Sequence, residues 1–151
     1  MTGKLMVLTA LLMMTVLMPM ASLAADKSEP AAEKVAAPSP KAFFENLKDG
    51  DTVTSPFKVK FGVSGMEVKP SGDETPNSGH FHLLIDSELS GDQLKAAIPS
   101  DDKHLHFGKG QTETDVTLPA GKHTLQIVMG DSKHVPHDPP VMSDKITVTV
   151  K

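Results

Sequence analysis

Apolar and polar side chains alternate most strictly between positions 57 and 63. The sequence there is FKVKFGV, so Phe57, Val59 and Phe61 fall on one face and the lysines on the other. Successive side chains of a β-strand point to opposite faces, and a period of two is typical of a strand with one face in the core. The pattern therefore predicts a strand over 57–63 with its phenylalanines buried.

Short apolar segments separated by turn residues continue along the chain, which is typical of an all-β domain. Further strands are predicted over 42–47, 80–86, 104–107, 111–118, 123–129 and 145–150. A helix of one or two turns is predicted after Ser90, where Gln93 completes a capping box and Pro99 ends the element. The proline-containing segments 69–79 and 130–144 are predicted as a loop and a long crossover.

These elements predict an all-β fold, an Ig-like antiparallel β-sandwich with one short helix. An up-and-down barrel and an α+β fold are the alternatives, although the helical content is too small to favour the second. Residues 41–151 suffice for a single domain of this kind with one core. Residues 25–40 are rich in Ala, Pro, Lys and Glu without apolar periodicity, which predicts a disordered linker.

Residues 1–24 have the order of features found in a secretory signal peptide. Lys4 precedes an almost wholly apolar run, and Ser22 and Ala24 supply small residues at cleavage-site spacing. A membrane-spanning helix is the alternative, but the run is short against the roughly 20 residues that a bilayer core needs. We therefore expect cleavage before Ala25 and a mature protein in the periplasm or otherwise outside the cytoplasm.

The charge balance and the missing residue types narrow the class of partner. The formal net charge is -4, and the sequence contains neither arginine nor cysteine. This acidic balance argues against nucleic acid as a binding partner, and against an anionic membrane as a partner after signal cleavage. The sequence does not indicate which protein or small molecule the domain binds. Without cysteine, a metal site must use His, Met, Asp or Glu, and with no Gly-x-Ser-x-Gly motif the usual serine and cysteine hydrolases are not expected.

Candidate chemistry lies in the histidines. Six of the seven form three close pairs, which are His80 with His82, His104 with His106, and His134 with His137. Residues two apart in a strand point to the same face about 6.6 Å apart, so the two His-x-His pairs can place imidazoles around one ion at about 2 Å. We predict a copper or zinc site at these two pairs, with His134 and His137 as further candidate ligands.

The phase of the strand over 80–86 places Phe81, Leu83 and Ile85 in the core and turns the two histidines the other way. For one ion to bind both His-x-His pairs, their strands must lie side by side, with ring nitrogens within about 3–5 Å. Ligating histidines are normally oriented through their other nitrogen, and Asp86 and Asp138 are the candidate partners.

Other residues with metal-binding chemistry have simpler interpretations. His123 begins an apolar strand face and is expected at the rim of the core. Three methionines are possible soft ligands for copper, namely Met66, Met129 and Met142. Met129 is in phase with core residues, so packing is expected for it. Asp101 and Asp102 are interpreted as part of a turn.

Two other function classes are compatible with the sequence. A non-catalytic ligand- or protein-binding module of Ig-like fold, with no metal, is the alternative to the metal site. Among enzymes, copper/zinc superoxide dismutase is similar in being a β-sandwich with a His-x-His strand. Its disulfide cannot form without cysteine, and its remaining ligands have no ordered counterparts here, so no enzymatic activity is expected.

Four ordered motifs carry a resemblance to a known family. They are GHFHLLID at 79–86, DDKHLHFGKGQTE at 101–113, GKHTLQ at 121–126 and HVPHDPP at 134–140. Over about residues 42–150 the sequence resembles the bacterial family of domains of unknown function DUF 4399. The resemblance implies an exported β-sandwich and no established activity. Phe81 stands where it implies a third histidine.

Overall fold

The computed structural model describes residues 39–151. The predicted signal peptide, 1–24, and all but the last two residues of the predicted linker, 25–40, lie outside the described residues. In the described part, no helix is long and apolar enough to cross a membrane.

Strands dominate the described residues, which include a single 3-10 helix at Gly91–Lys95. The nine strands are β1 (Lys41–Phe44), β2 (Thr52–Val53), β3 (Phe57–Ser64), β4 (Glu67–Val68), β5 (Ser78–Ile85), β6 (His104–His106), β7 (Glu113–Val116), β8 (Gly121–Gly130) and β9 (Ile146–Val150). One sheet has the order β1-β3-β7, and the other has the order β2-β9-β8-β5-β4, with β6 also paired to β5. The predicted all-β sandwich is confirmed.

The main core lies between the two sheets, and β3 contributes to it as predicted. Phe57, Val59 and Phe61 are buried, whereas Lys58 on the other face is exposed. The ring centroid of Phe61 lies 5.4 Å from that of Phe81 on β5. Phe61 therefore links the small sheet to the large one through ring contacts.

Strand β5 is buried along its whole length, because it is covered on both faces. Its inner face contributes Phe81, Leu83 and Ile85 to the main core, in the predicted phase. Leu84 on its outer face belongs to a second, smaller apolar cluster with Leu89, Ile98 and Val128. The segment after β5 thus folds back over the outer face of the large sheet, and the two histidines of β5 share that covered face.

The differences from the sequence-based assignment concern short elements. Strand β5 begins at Ser78, inside the segment predicted as a loop. Strands β2 and β4 were not predicted, and each pairs in parallel, β2 with β9 and β4 with β5. Two residues are too few to show any periodicity, so such elements are detected only through their pairing.

Candidate metal centre

Strands β5 and β6 are antiparallel neighbours, and their register brings the two His-x-His pairs side by side. His82 is paired with His106, and Leu84 is paired with His104. Residues directly opposite each other in an antiparallel pair point to the same face. The prediction that the two strands are adjacent, with their histidines on a common face, is confirmed.

Three imidazole rings meet on this face. The Nε2 atoms of His80 and His82 are 3.0 Å apart, and one ring nitrogen from each of His80, His82 and His106 lies within 4.8 Å of the others. The ring centroids of these residues are 4.8–5.0 Å apart. The spacing predicted for ligands of one ion is therefore present, and these three side chains could hold a metal ion.

A fourth ring comes from the segment that connects β8 to β9. The ring centroid of His134 lies 4.7 Å from that of His106, 4.9 Å from that of His80 and 6.0 Å from that of His82. His137 lies further along this segment, and its Nε2 atom packs against the backbone of β5, only 2.9 Å from where a Cβ on Gly79 would lie. The structure thus groups His134 with the three strand histidines.

His104 is turned away from this group, although it is on the same sheet face. Its Nδ1 atom is 2.7 Å from Oδ1 of Asp101, and its Nε2 atom is 2.9 Å from the hydroxyl oxygen of Ser87. The bond to His104 also lowers the pKa of the Asp101 carboxyl. Both ring nitrogens of His104 are therefore engaged outside the cluster. Asp101 and Asp102 lie in a turn, as predicted.

The centre of the cluster is excluded from solvent. His80 and His82 are 0% and 1% exposed, and among the described residues neither Nδ1 atom has a hydrogen-bond partner. Burial, together with the neighbouring histidines, lowers the pKa of His80 to about 4 and that of His82 to about 3. Burial also lowers the pKa of His106. At neutral pH these rings are uncharged, and so they retain the lone pairs that a metal ion requires.

The prediction that Asp86 orients a ligating histidine is wrong, because Asp86 contacts His123 instead. Its Oδ2 atom accepts a hydrogen bond of 2.7 Å from Nδ1 of His123, whose Nε2 atom donates to the carbonyl oxygen of Pro119 at 3.0 Å. Since both partners are acceptors, the ring must donate from both nitrogens, and the contact with Asp86 raises the pKa of His123. Asp138 is exposed.

Two glycines that sequence reasoning did not single out make room for the rings. A Cβ on Gly130 would lie 2.9 Å from Nε2 of His82, and a Cβ on Gly108 would lie 2.6 Å from Nε2 of His106. Gly130 is paired with His80 across β5 and β8. A glycine inside or beside a strand often marks a close approach, and this signal could have identified both positions.

The methionines pack with apolar side chains. Met129 is fully buried in the main core, which confirms the interpretation of its phase. Met66 packs against the same core, and Met142 packs against the smaller apolar cluster.

The fold and this site together define a class: an all-β sandwich domain with a buried cluster of histidines on the outer face of its larger sheet. The chain belongs to the family described as a domain of unknown function, DUF4399, which matches residues 59–151. The resemblance noted from the four motifs is thereby confirmed. Searches of curated proteins and of solved structures found no match. Phe81 is fully buried in the main core, so the residue at this position points away from the histidine cluster.

The buried histidines predict that the metal-free domain loses stability in mild acid. The folded-state pKa values of His80 and His82, about 4 and about 3, lie below the ordinary value of 6.5. Between the folded-state values and 6.5, the unfolded chain therefore binds more protons than the folded domain does. As a result, the free energy of unfolding falls as pH falls below 6.5. We expect a loss of about 4 kcal/mol between pH 6.5 and 4.5, because each of the two rings contributes about 2 kcal/mol over this interval at about 1.4 kcal/mol per pKa unit.

Urea unfolding at a series of pH values would measure this effect. His123 has a raised pKa, so its contribution has the opposite sign: it is complete below pH 6.5 and declines as pH rises through the folded value. His82→Leu should flatten the acid limb. A wild-type stability that is constant between pH 6.5 and 4.5 would contradict the expected neutral, buried state of these rings.

Proposed function

We propose that this domain binds one copper or zinc ion through His80, His82 and His106, outside the cytoplasm and without catalysing a reaction. The observation that carries the proposal is the convergence of three uncharged rings, of which two are buried and that of His106 is half-buried. Among the described residues, the Nδ1 atoms of His80 and His82 and the Nε2 atom of His106 have no hydrogen-bond partner. A buried polar nitrogen without a hydrogen bond costs free energy, and such a group calls for an explanation. A bound cation would take up the lone pairs that meet at the centre of the cluster.

The spacing of the two Nε2 atoms supports coordination of a single ion. With metal–nitrogen bonds of about 2 Å, the 3.0 Å separation between His80 and His82 corresponds to an angle at the metal of about 97°. This value lies between the roughly 90° of a square-planar site and the roughly 109° of a tetrahedral one. Small rotations of the side chains would bring the two rings to either geometry.

The donor set favours a first-row transition metal such as copper or zinc over calcium or magnesium. Imidazole nitrogen is a ligand of intermediate softness that suits zinc and copper, whereas calcium and magnesium require oxygen ligands. The chain has no cysteine, so it lacks the thiolates that iron–sulfur clusters need.

Restricted access favours binding over catalysis. A metal enzyme keeps one coordination position open to its substrate. Two surface cavities of about 320 and 460 Å³ reach His137 but none of the three proposed ligands. His80 and His82 are almost fully buried and only His106 of the three is partly exposed, so an ion held there would offer a substrate little access.

Metal analysis of the untagged protein tests the proposal. The mature domain, purified without a histidine tag, should bind about one equivalent of copper or zinc in a calorimetric titration. The affinity for the metal ion should persist at pH 5.5. The pKa values of His80 and His82 are low, so protons do not compete with the ion for these rings at that pH. If neither ion binds above the level of nonspecific surface histidines, the domain is a non-catalytic interaction module without a metal.

The proposed location has its own prediction. The features of residues 1–24 lead us to expect that the protein recovered from the extracytoplasmic fraction begins at or near Ala25. Mass spectrometry of the intact protein would identify its first residue. Recovery of a chain that still begins at Met1 and stays in the membrane after salt and carbonate washing would contradict export by a cleaved signal.

A further inference from the structure

We propose that His134 is the fourth ligand of the metal centre, and that the loop carrying it, residues 131–135, opens to let the ion enter and leave. The inference rests on the proposed binding at His80, His82 and His106, and it adds how that site exchanges its ion.

The position of the His134 ring completes a set of four. Its centroid lies 4.7–6.0 Å from the other three centroids, which are 4.8–5.0 Å from one another. Its plane is inclined by 62–83° to the other three rings. Three rings project from the sheet and the fourth approaches from the covering segment. Ring nitrogens of His80, His82 and His106 already lie within 4.8 Å of one another. A rotation of the His134 side chain would bring a nitrogen of its adjacent ring into this set and supply the fourth donor that four-coordinate sites require.

The backbone of the loop is arranged to present this side chain. His134 has φ of +68°, in the left-handed region that few residues other than glycine adopt, although histidine does so more readily than most. Asp131 holds the turn, since its Oδ1 atom accepts hydrogen bonds from the backbone nitrogens of Lys133 at 2.8 Å and Val135 at 2.9 Å. Residues kept in such conformations by their surroundings cluster at functional sites.

The same loop is the part of the site that can move. His80, His82 and His106 are on paired strands of the large sheet. The loop, by contrast, is held to distant described segments by backbone hydrogen bonds. The amide of Ile98 donates to the carbonyl oxygen of His134 (2.8 Å), and the amide of Gly72 donates to that of Ser132 (3.2 Å). Its outer side borders an open cavity of about 320 Å³, lined in part by Asp131 and Lys133. Exchange through the loop breaks few contacts, whereas exchange through the sheet would break strand pairing.

A site closed by four imidazoles has a chemical consequence. Structural zinc sites have four protein ligands, and catalytic ones leave a position for water or substrate. With His134 in place, the ion has no free position, so the domain would hold the ion and release it only when the loop opens. The inferred role is therefore storage or transfer of a metal ion.

The variant His134→Asn separates ligation from folding. Asparagine adopts the left-handed conformation readily, so the loop can keep its shape while the imidazole is lost. Wild type and variant would be loaded with one equivalent of zinc and mixed with an excess of chelator. Removing one of four ligands should make release on the order of 100-fold faster. X-ray absorption should show the number of nitrogen ligands falling from four to three.

The matched control is His104→Asn, which removes a histidine on the same sheet face whose ring nitrogens are engaged by Asp101 and Ser87. It should leave release rate and nitrogen number unchanged. Wild type that binds zinc, with a His134→Asn variant that releases it at the same rate and with the same nitrogen number, would overturn this inference and leave the proposed function standing. Wild type that binds neither zinc nor copper would overturn both.

Discussion

Replacing His82 and His106 with alanine together is expected to abolish tight copper and zinc binding. The two residues are directly paired across β5 and β6, and their rings are 5.0 Å apart, so the double variant removes one ligand from each strand. Structural zinc sites are worth about 10–16 kcal/mol shared among their ligands, so the loss of two should weaken binding by about 1000-fold or more. Calorimetric titration of the purified domain would measure it.

Loss of binding must be distinguished from loss of folding. His82→Leu fills most of the space left by the ring, but it also leaves Nε2 of His80 without its partner at 3.0 Å. The free energy of unfolding of each variant would therefore be measured by urea denaturation beside its metal affinity. His104→Ala is the control for a histidine outside the cluster. A double variant that keeps full affinity for both ions, or a control that loses as much affinity, would exclude the proposed site.

Replacing Phe61 with alanine is expected to lower the free energy of unfolding by about 3–5 kcal/mol. Phe61 is 1% exposed, and its ring centroid lies 4.8 Å from that of Phe107 and 5.4 Å from that of Phe81. The substitution therefore removes the ring that joins the two sheets and leaves a cavity between them. Leu125 is fully buried on β8. Its replacement with alanine should lower the free energy of unfolding by about 2–5 kcal/mol.

Urea denaturation would measure the loss for both variants, provided that the free energy of unfolding depends on urea concentration with the same slope as in wild type. The matched control is Phe43→Ala, since Phe43 is the same residue type on the neighbouring strand β1 but is 43% exposed. Its replacement should cost well under half as much as that of Phe61, since part of its surface is already in water. Equal losses for the two phenylalanines, or changes under about 0.5 kcal/mol for Phe61, would show that the assigned strand phase is wrong.

Period-two alternation was sufficient to predict the sandwich and the orientation of its main strands. The phase of β3 put Phe61 in the core, and the phase of β5 turned His80 and His82 to the opposite face. What alternation could not show is that this opposite face is also covered. The cover consists of Leu89 and Ile98, which lie in an irregular segment and reach the sheet through tertiary contacts.

Alternation also could not show which histidines belong to the cluster. His104 and His106 are equivalent by spacing, but Asp101 and Ser87 bind the first ring and leave only the second in the cluster. His134 lies beside the cluster because of its own backbone conformation, with φ of +68°. A conformation confined to one loop residue produces no periodic pattern in the sequence. A pattern identifies which residues share a strand face, whereas side-chain hydrogen bonds and loop geometry decide which rings meet.

The two-sided burial of β5 would allow an ion bound at the proposed centre to be exchanged without denaturing the domain. All eight residues of this strand are buried, and it is paired with β8 on one edge and with β4 and β6 on the other. Amide hydrogens in such a strand exchange with solvent only when the whole domain unfolds, whereas those of a surface loop exchange through local opening. The proposed opening of the loop at 131–135 would therefore leave the rings on β5 in position, and an emptied site would be ready for the next ion.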